Sequence, residues 1–174
     1  MSADALAAAP DRAGVSASAS AVAYIGIGAN LGAARATVLQ AMNDLDRLPT
    51  SHVTARSSLY RSAPWQASGP DFINAVVALH TALDPFTLLA ELQRLEHGAG
   101  RERSYRNAPR TLDLDLLLHG DTVLATPTLT LPHPRLAQRA FVLLPLAEIA
   151  PALVTPAQSA GVANQLVERL GFEA

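Results

Sequence analysis

The chain has 174 residues, of which 49% are hydrophobic and 16% charged, and its formal net charge is −2. That suffices for one domain with a buried core, and the slight negative charge argues against a general nucleic-acid binder. The absence of cysteine excludes a disulfide framework and a thiolate metal site and points to the cytoplasm, and no apolar run reaches the roughly 20 residues of a membrane span.

Residues 1–20 are rich in Ala and Ser, interrupted by Asp4, Pro10 and Asp11, with no apolar stretch behind a basic flank. They read as a disordered tail rather than a signal peptide, and 21–174 as a single domain. The ordered chain begins with the β-type run Val22 to Gly28, and Ala29-Asn30-Leu31-Gly32 turns it. The likeness to a strand-to-helix phosphate loop is loose, because no P-loop lysine follows. Val38, Leu39, Met42 and Leu45 recur at helical spacing and predict a helix over 34–48, ended by Pro49. His52 to Ser62 alternates apolar with polar residues and predicts a second strand.

Residues 63–71 form a loop by their Pro, Gly and Ser content and carry the only tryptophan, Trp65, either a packing anchor or part of a functional loop. Phe72 to Leu83 predicts a third strand. Within it Asn74 either satisfies backbone groups or offers a paired donor and acceptor to a ligand. Asp84-Pro85 is an N-cap followed by a first-turn proline, and Phe86, Leu89, Leu92 and Leu95 mark a second helix ending near Gly98.

All thirteen basic residues are arginine, and Arg94, Arg101, Arg103, Arg106 and Arg110 fall within seventeen positions. Planar guanidinium groups suit bidentate phosphate recognition, although such a run can equally be a solvated helix end and loop. Directly after it, Leu112-Asp113-Leu114-Asp115-Leu116 alternates as a strand does, so Asp113 and Asp115 share one face. Same-face carboxylates with Cα atoms about 6–7 Å apart can converge on Mg²⁺. They can also be simply solvated, and spacing alone does not choose. A short strand follows over 122–125, then Leu131-Pro132-His133-Pro134, then a helical stretch including Phe141 to Ile149 with a kink or restart at Pro145. A short helical pattern spans 164–170. The order β-α-β-β-α-β predicts an α+β, ferredoxin-like fold with an antiparallel sheet, both helices on one face and additional C-terminal helices.

Taken together, Tyr24-Ile25-Gly26-Ile27-Gly28-Ala29-Asn30-Leu31, Ser58-Leu59-Tyr60-Arg61-Ser62-Ala63-Pro64, Asp71-Phe72-Ile73-Asn74-Ala75, Gly100-Arg101, Pro109-Arg110-Thr111-Leu112-Asp113-Leu114-Asp115 and Leu131-Pro132-His133 to Arg139 resemble one family. It is the 6-hydroxymethyl-7,8-dihydropterin pyrophosphokinase family of folate biosynthesis, and the resemblance runs from about residue 22 to 151. The resemblance implies transfer of the β,γ-pyrophosphoryl group of ATP to the pterin hydroxymethyl oxygen, leaving AMP, with two Mg²⁺ ions.

Residue by residue, the resemblance implies that Asp113 and Asp115 hold the metal ions while Arg101 and Arg110 clamp the polyphosphate. Around ATP it sets Gln93, Glu96, Arg103, Thr130, His133 and Arg139. Phe72 and Phe141 would sandwich the pterin ring, Asn74 would pair with its amide edge, and backbone around Ser62 and Ala63 would help. As residues alone, His133 can be a loop residue bonded to backbone and the phenylalanines can be core. Where many members have an aromatic followed by glycine, this chain has Asn107-Ala108, and Trp65 or Tyr105 is the candidate replacement. The loops 63–71 and 101–109 resemble the family's loops that close over substrates, which would exclude water. The expected form is a monomer acting on small molecules, without nucleic-acid or membrane partners.

Two other classes compete. Ferredoxin-like sheets with exposed aromatics and arginines also bind RNA, but an acidic pair on the binding face and the negative net charge speak against it. A Mg-dependent phosphohydrolase could use the same aspartates on water, but has no need of Phe72, Asn74 and Phe141 together.

Overall fold

Strict alternation builds the sheet from its centre. In a computed structural model, which describes residues 19–64, 66, 68–100 and 111–171, strand β1 (Ala21–Ala29) buries Ala23, Ile25, Ile27 and Ala29 on one face. The expected tail lies outside the described residues up to residue 18. Helix α1 (Ala34–Leu45) follows, with Val38, Ala41, Met42 and Leu45 as its buried stripe at the spacing the sequence predicts. It ends three residues before the predicted limit, and Thr50, at φ 50°, turns the chain into the sheet.

The predicted second strand is two: β2 (Ser51–Arg56) and β3 (Leu59–Ser62). The break has a chemical cause. Ser57 Oγ accepts the Val76 N–H at 2.9 Å, and the Ser58 N–H and hydroxyl both turn to the Glu148 carboxylate, at 3.1 and 2.8 Å. Ser57 N–H still donates to Val76 O at 2.9 Å, but side-chain partners take the other ladder positions there. Strand β4 (Phe72–Thr81) pairs antiparallel with β1, β2 and β3.

Helix α2 (Pro85–Gly98) starts as predicted, with Asp84 accepting the Phe86 and Thr87 N–H groups, and buries Leu88, Leu92 and Glu96. Strand β5 (Asp113–His119) then pairs with β1. The sheet order β5-β1-β4-β3, with β2 also on β4, is antiparallel throughout and is the ferredoxin-like arrangement the element order implied. Ile25, Ile27, Leu79, Leu114 and Leu116 pack against Val38, Met42, Leu88 and Leu92, so α1 and α2 close one face.

Strands β6 (Leu124–Ala125) and β7 (Thr130–Leu131) form a separate small hairpin sheet. Helix α3 (Ala140–Ile149) runs unbroken through Pro145, where the sequence predicted a kink or restart. It packs on the second sheet face, with Leu143 and Leu146 against Val76 and Leu117. A short helix α4 (Pro156–Gly161), unforeseen in the sequence, is opened by a Thr155–Gln158 capping box.

The helical pattern read over 164–170 is instead strand β8 (Val167–Leu170), paired with β3. An isolated helix of that length gains too little from propensity to form, whereas the open edge of β3 offers a row of unpaired backbone groups. Among the described residues no helix is long and apolar enough to cross a membrane.

Candidate active site

The second sheet face is covered by α3 over only part of its area, and the remainder is a cavity of about 380 Å³. Its floor is bare backbone. Gly26 and Gly28 alternate on the β1 face that opposes Asp115 and Asp113 of β5, and Gly28 also stands opposite Asn74 of β4. Asp113 and Asn74 therefore flank Gly28 two strand spacings apart, about 10 Å. A Cβ at Gly28 would stand 3.4 Å from Asn74 Oδ1 and 3.8 Å from Phe72 Cδ1. Any residue but glycine would fill the floor.

On one side of that floor, Phe72 and Asn74 rise from β4 beside Ser62, Ala63 and Pro64 at the end of β3. Asn74, 4% exposed, donates through Nδ2 to Ser62 Oγ at 2.9 Å, which leaves Oδ1 over Gly28. On the other side stand Asp113, Asp115, His133 and Arg139, while Phe141 enters from the first turn of α3. Arg139 lies 5.5 Å over the Phe141 ring, and its Nη1 is 4.0 Å from Asp115 Oδ2. That pair holds a cation beside a carboxylate at the cavity wall.

His133 is anchored by its backbone N–H to Leu117 O at 2.9 Å, and its Nδ1 accepts the Arg135 N–H at 3.1 Å. Burial, then the nearby Arg139 and Arg135 charges, hold its pKa below the usual histidine range against the opposing pull of Asp113. Because Nδ1 accepts the Arg135 N–H, the proton of the neutral ring sits on Nε2.

The structure brings together Ser62, Ala63, Phe72, Asn74, Asp113, Asp115, His133, Arg139 and Phe141 in one cavity wall. Gln93 and Thr130 are exposed and do not line it. Glu96 does not line it either: it is 2% exposed, and its Oε1 accepts the Leu114 N–H at 2.8 Å, gripping the backbone between the two aspartates from the helix side. Trp65, Arg101, Arg103 and Arg110, with Tyr105 and Asn107, lie outside the described residues. Sequence reasoning passed over Gly26 and Gly28 as floor and Arg135 as a lining residue. The glycines had a signal, since two of them sit at strand period on the face opposite Ile25 and Ile27.

The donor set suits Mg²⁺. Among the described residues no group of three or more His, Cys, Asp or Glu side chains converges as a metal cage. Two half-buried carboxylates facing an open cavity are what Mg²⁺ takes when substrate phosphates and water complete its shell.

The family model described as 7,8-dihydro-6-hydroxymethylpterin-pyrophosphokinase matches residues 24–151. The 2-amino-4-hydroxy-6-hydroxymethyldihydropteridine pyrophosphokinase of Pseudomonas aeruginosa is 46% identical over 134 residues, covering 76% of this chain and 83% of that protein. Its namesake from Methylorubrum extorquens is 40% identical over 152 residues, 87% of this chain and 96% of that protein. Among solved structures, wild-type Plasmodium falciparum HPPK-DHPS with pteroate superposes with a TM-score of 0.62 at 13% identity, over 76% of this chain and 39% of that one. That likeness is one of fold.

Proposed function

This chain belongs to the 6-hydroxymethyl-7,8-dihydropterin pyrophosphokinase family, and from that premise we propose how its residues divide the work of the reaction. The protein transfers the pyrophosphoryl group of ATP to 6-hydroxymethyl-7,8-dihydropterin in folate biosynthesis, leaving AMP. The observation that carries the division of labour is one cavity in which Phe72 and Asn74 stand on the β4 side of Gly28 and Asp113 and Asp115 on the β5 side, with Phe141 beside Arg139.

Phe72 and Phe141 hold the pterin ring between them, while Asn74 Oδ1 accepts from the ring's amide edge, its Nδ2 being held by Ser62. Backbone at Ser62 and Ala63 completes that edge. Asp113 and Asp115 would hold the two Mg²⁺ ions. Bound there, Mg²⁺ would supply charge neutralisation at the phosphates and polarisation of the acceptor hydroxyl.

The protein's remaining task is positioning. Arg139, kept in place by Asp115 and the Phe141 ring, offers its guanidinium to a phosphate oxygen, and His133 donates through Nε2. Arg101, Arg103 and Arg110 clamp the polyphosphate, and Gln93 and Thr130 reach the nucleotide outside the cavity. Glu96 supports the aspartate strand from below. The family resemblance assigns exclusion of the water that would hydrolyse ATP to the loops 63–71 and 101–109 and leaves Trp65 as a candidate pterin contact, residues 65, 67 and 101–110 lying outside the described residues.

The protein works as a cytoplasmic monomer, with 21–174 as one domain. Support for one domain is that β1, from residue 21, and β8, to residue 170, enter the same sheet. The test is to incubate the protein with ATP and Mg²⁺, with and without the pterin. AMP that forms only with pterin and Mg²⁺ is expected. ADP, or breakdown indifferent to pterin, overturns the reading in favour of another kinase or a hydrolase.

A further inference from the structure

The family match ends at residue 151, yet the chain continues through α4 into β8 and returns to elements that border the cavity. It returns at two places. The first is the start of α3, which bears Arg139 and Phe141. No side chain at the N-cap position, Arg139, caps that helix. Instead Gln165 reaches across: its Oε1 accepts the Ala140 N–H at 2.9 Å, and its Nε2 donates to Gln138 O at 2.8 Å. One amide thus satisfies an orphan helix donor and the carbonyl two residues before it.

The second place is β3. Strand β8 pairs with it so that Val167 stands opposite Ser62 and Arg169 opposite Tyr60. Ser62 is the residue that orients Asn74. From β8, Arg169 donates to Ser58 Oγ and to Glu148 Oε1, both at 3.0 Å, and Glu148 at the far end of α3 also accepts the Tyr60 hydroxyl at 2.7 Å. Val162, 3% exposed, packs with Leu136, Ala140 and Leu143 and ties the segment into the core beneath α3.

We propose that residues 165–170 form a clasp that sets the spacing between the two walls of the acceptor pocket, with Gln165 as its positioning residue. The proposal rests on the pterin reading of the cavity and adds to it a role for a segment beyond the family match. Gln165 touches no substrate. It acts through the helix start: without it the Ala140 N–H and the Gln138 carbonyl lose their partners, the first turn of α3 loosens, and Phe141 no longer stands at a fixed distance from Phe72 and Asn74.

The experiment compares steady-state kinetics of the full chain with its Gln165→Ala, Gln165→Glu and Thr155→Ala variants, alongside melting temperatures. Loss of one helix-capping partner is expected to raise the KM for the pterin about fivefold to tenfold in Gln165→Ala, with a smaller rise in the KM for ATP through Arg139, which sits between the two bonds. Gln165→Glu keeps the acceptor for the Ala140 N–H but loses the donor to the Gln138 carbonyl, and recovers part of the loss. Thr155→Ala, which breaks the capping box of α4, lowers the melting temperature without moving the pterin KM. An unchanged pterin KM in Gln165→Ala overturns the clasp. So does an equal rise for ATP, or the same kinetic change in Thr155→Ala. A wild-type chain that makes no pterin-dependent AMP overturns the functional reading itself, and the clasp with it.

Discussion

The two faces of the sheet are made from the same strands and obey opposite rules. Toward α1 and α2 the alternate residues are mainly aliphatic and buried, with Thr81 and His119 as buried polar exceptions, and the face is closed. Toward α3 the same strands present Gly26, Gly28, Phe72, Asn74, Asp113 and Asp115, and the face is closed only where Val76 and Leu117 meet the helix. The period of two lets one strand serve both, because each residue added to the core face leaves its neighbours free to serve the other. Stability is concentrated on one side and chemistry on the other.

That division is broken most severely at Asp115. Asp115→Ala should lower kcat by about 10³-fold or more, roughly 4 kcal/mol of transition-state stabilisation, while the melting temperature stays close to wild type. Activity near wild type would remove the aspartates from the reaction. The converse lesion is Leu79→Ala on the closed face, a residue 0% exposed. It should cost about 2–5 kcal/mol in denaturant unfolding and leave both KM values unchanged. A change in KM would mean that the faces are coupled.

Gly28→Ala sharpens the comparison with a single methyl group. The new Cβ stands 3.4 Å from Asn74 Oδ1, so the pterin KM should rise by roughly tenfold, about 1.4 kcal/mol, with ATP little affected. Binding calorimetry with each substrate separates the two.

The smallest effect concerns the join between the faces, where Glu148 receives Ser58, Tyr60 and Arg169. Burial pulls its pKa upward, but those donors outweigh it and leave the carboxyl below the usual range. A depressed folded pKa contributes stability above the unfolded value, near 4.3, that is lost as pH falls through the folded one. Tyr60 is pushed up to about 12, by burial and then by its bond to Glu148, so its contribution is present below pH 10 and lost as pH rises toward 12. Melting temperatures should therefore fall at both extremes in wild type, with a smaller acid decline in Glu148→Gln. Equal acid declines would deny Glu148 a share.

Much of this arrangement was legible in the chain itself. The alternation around Asp113 and Asp115, the stripe Val38-Met42-Leu45 and the Asp84-Pro85 cap are local signals, and each formed where the spacing put it. The break at Ser57–Ser58 was not legible, because it depends on Val76 and Glu148, 19 and 90 residues away in the chain. The same is true of β8. Its residues carry a weak helical pattern, and only an unpaired edge on β3 turns them into a strand. Glu96 was expected beside the nucleotide; its burial against the Leu114 N–H is visible only once α2 lies under β5.

The sequence by itself determined the periodicities, hence the ferredoxin-like order of elements and the face on which the carboxylates stand, because hydrogen-bonded backbone geometry converts spacing directly into facing. Only the tertiary structure decided that Gly26 and Gly28 are a floor, that Arg139 leans on Asp115, and that Gln165 caps a helix 25 residues before it. Those are meetings of groups distant in the chain, and such contacts exist only after the sheet has closed and the buried polar groups have found the partners that burial demands.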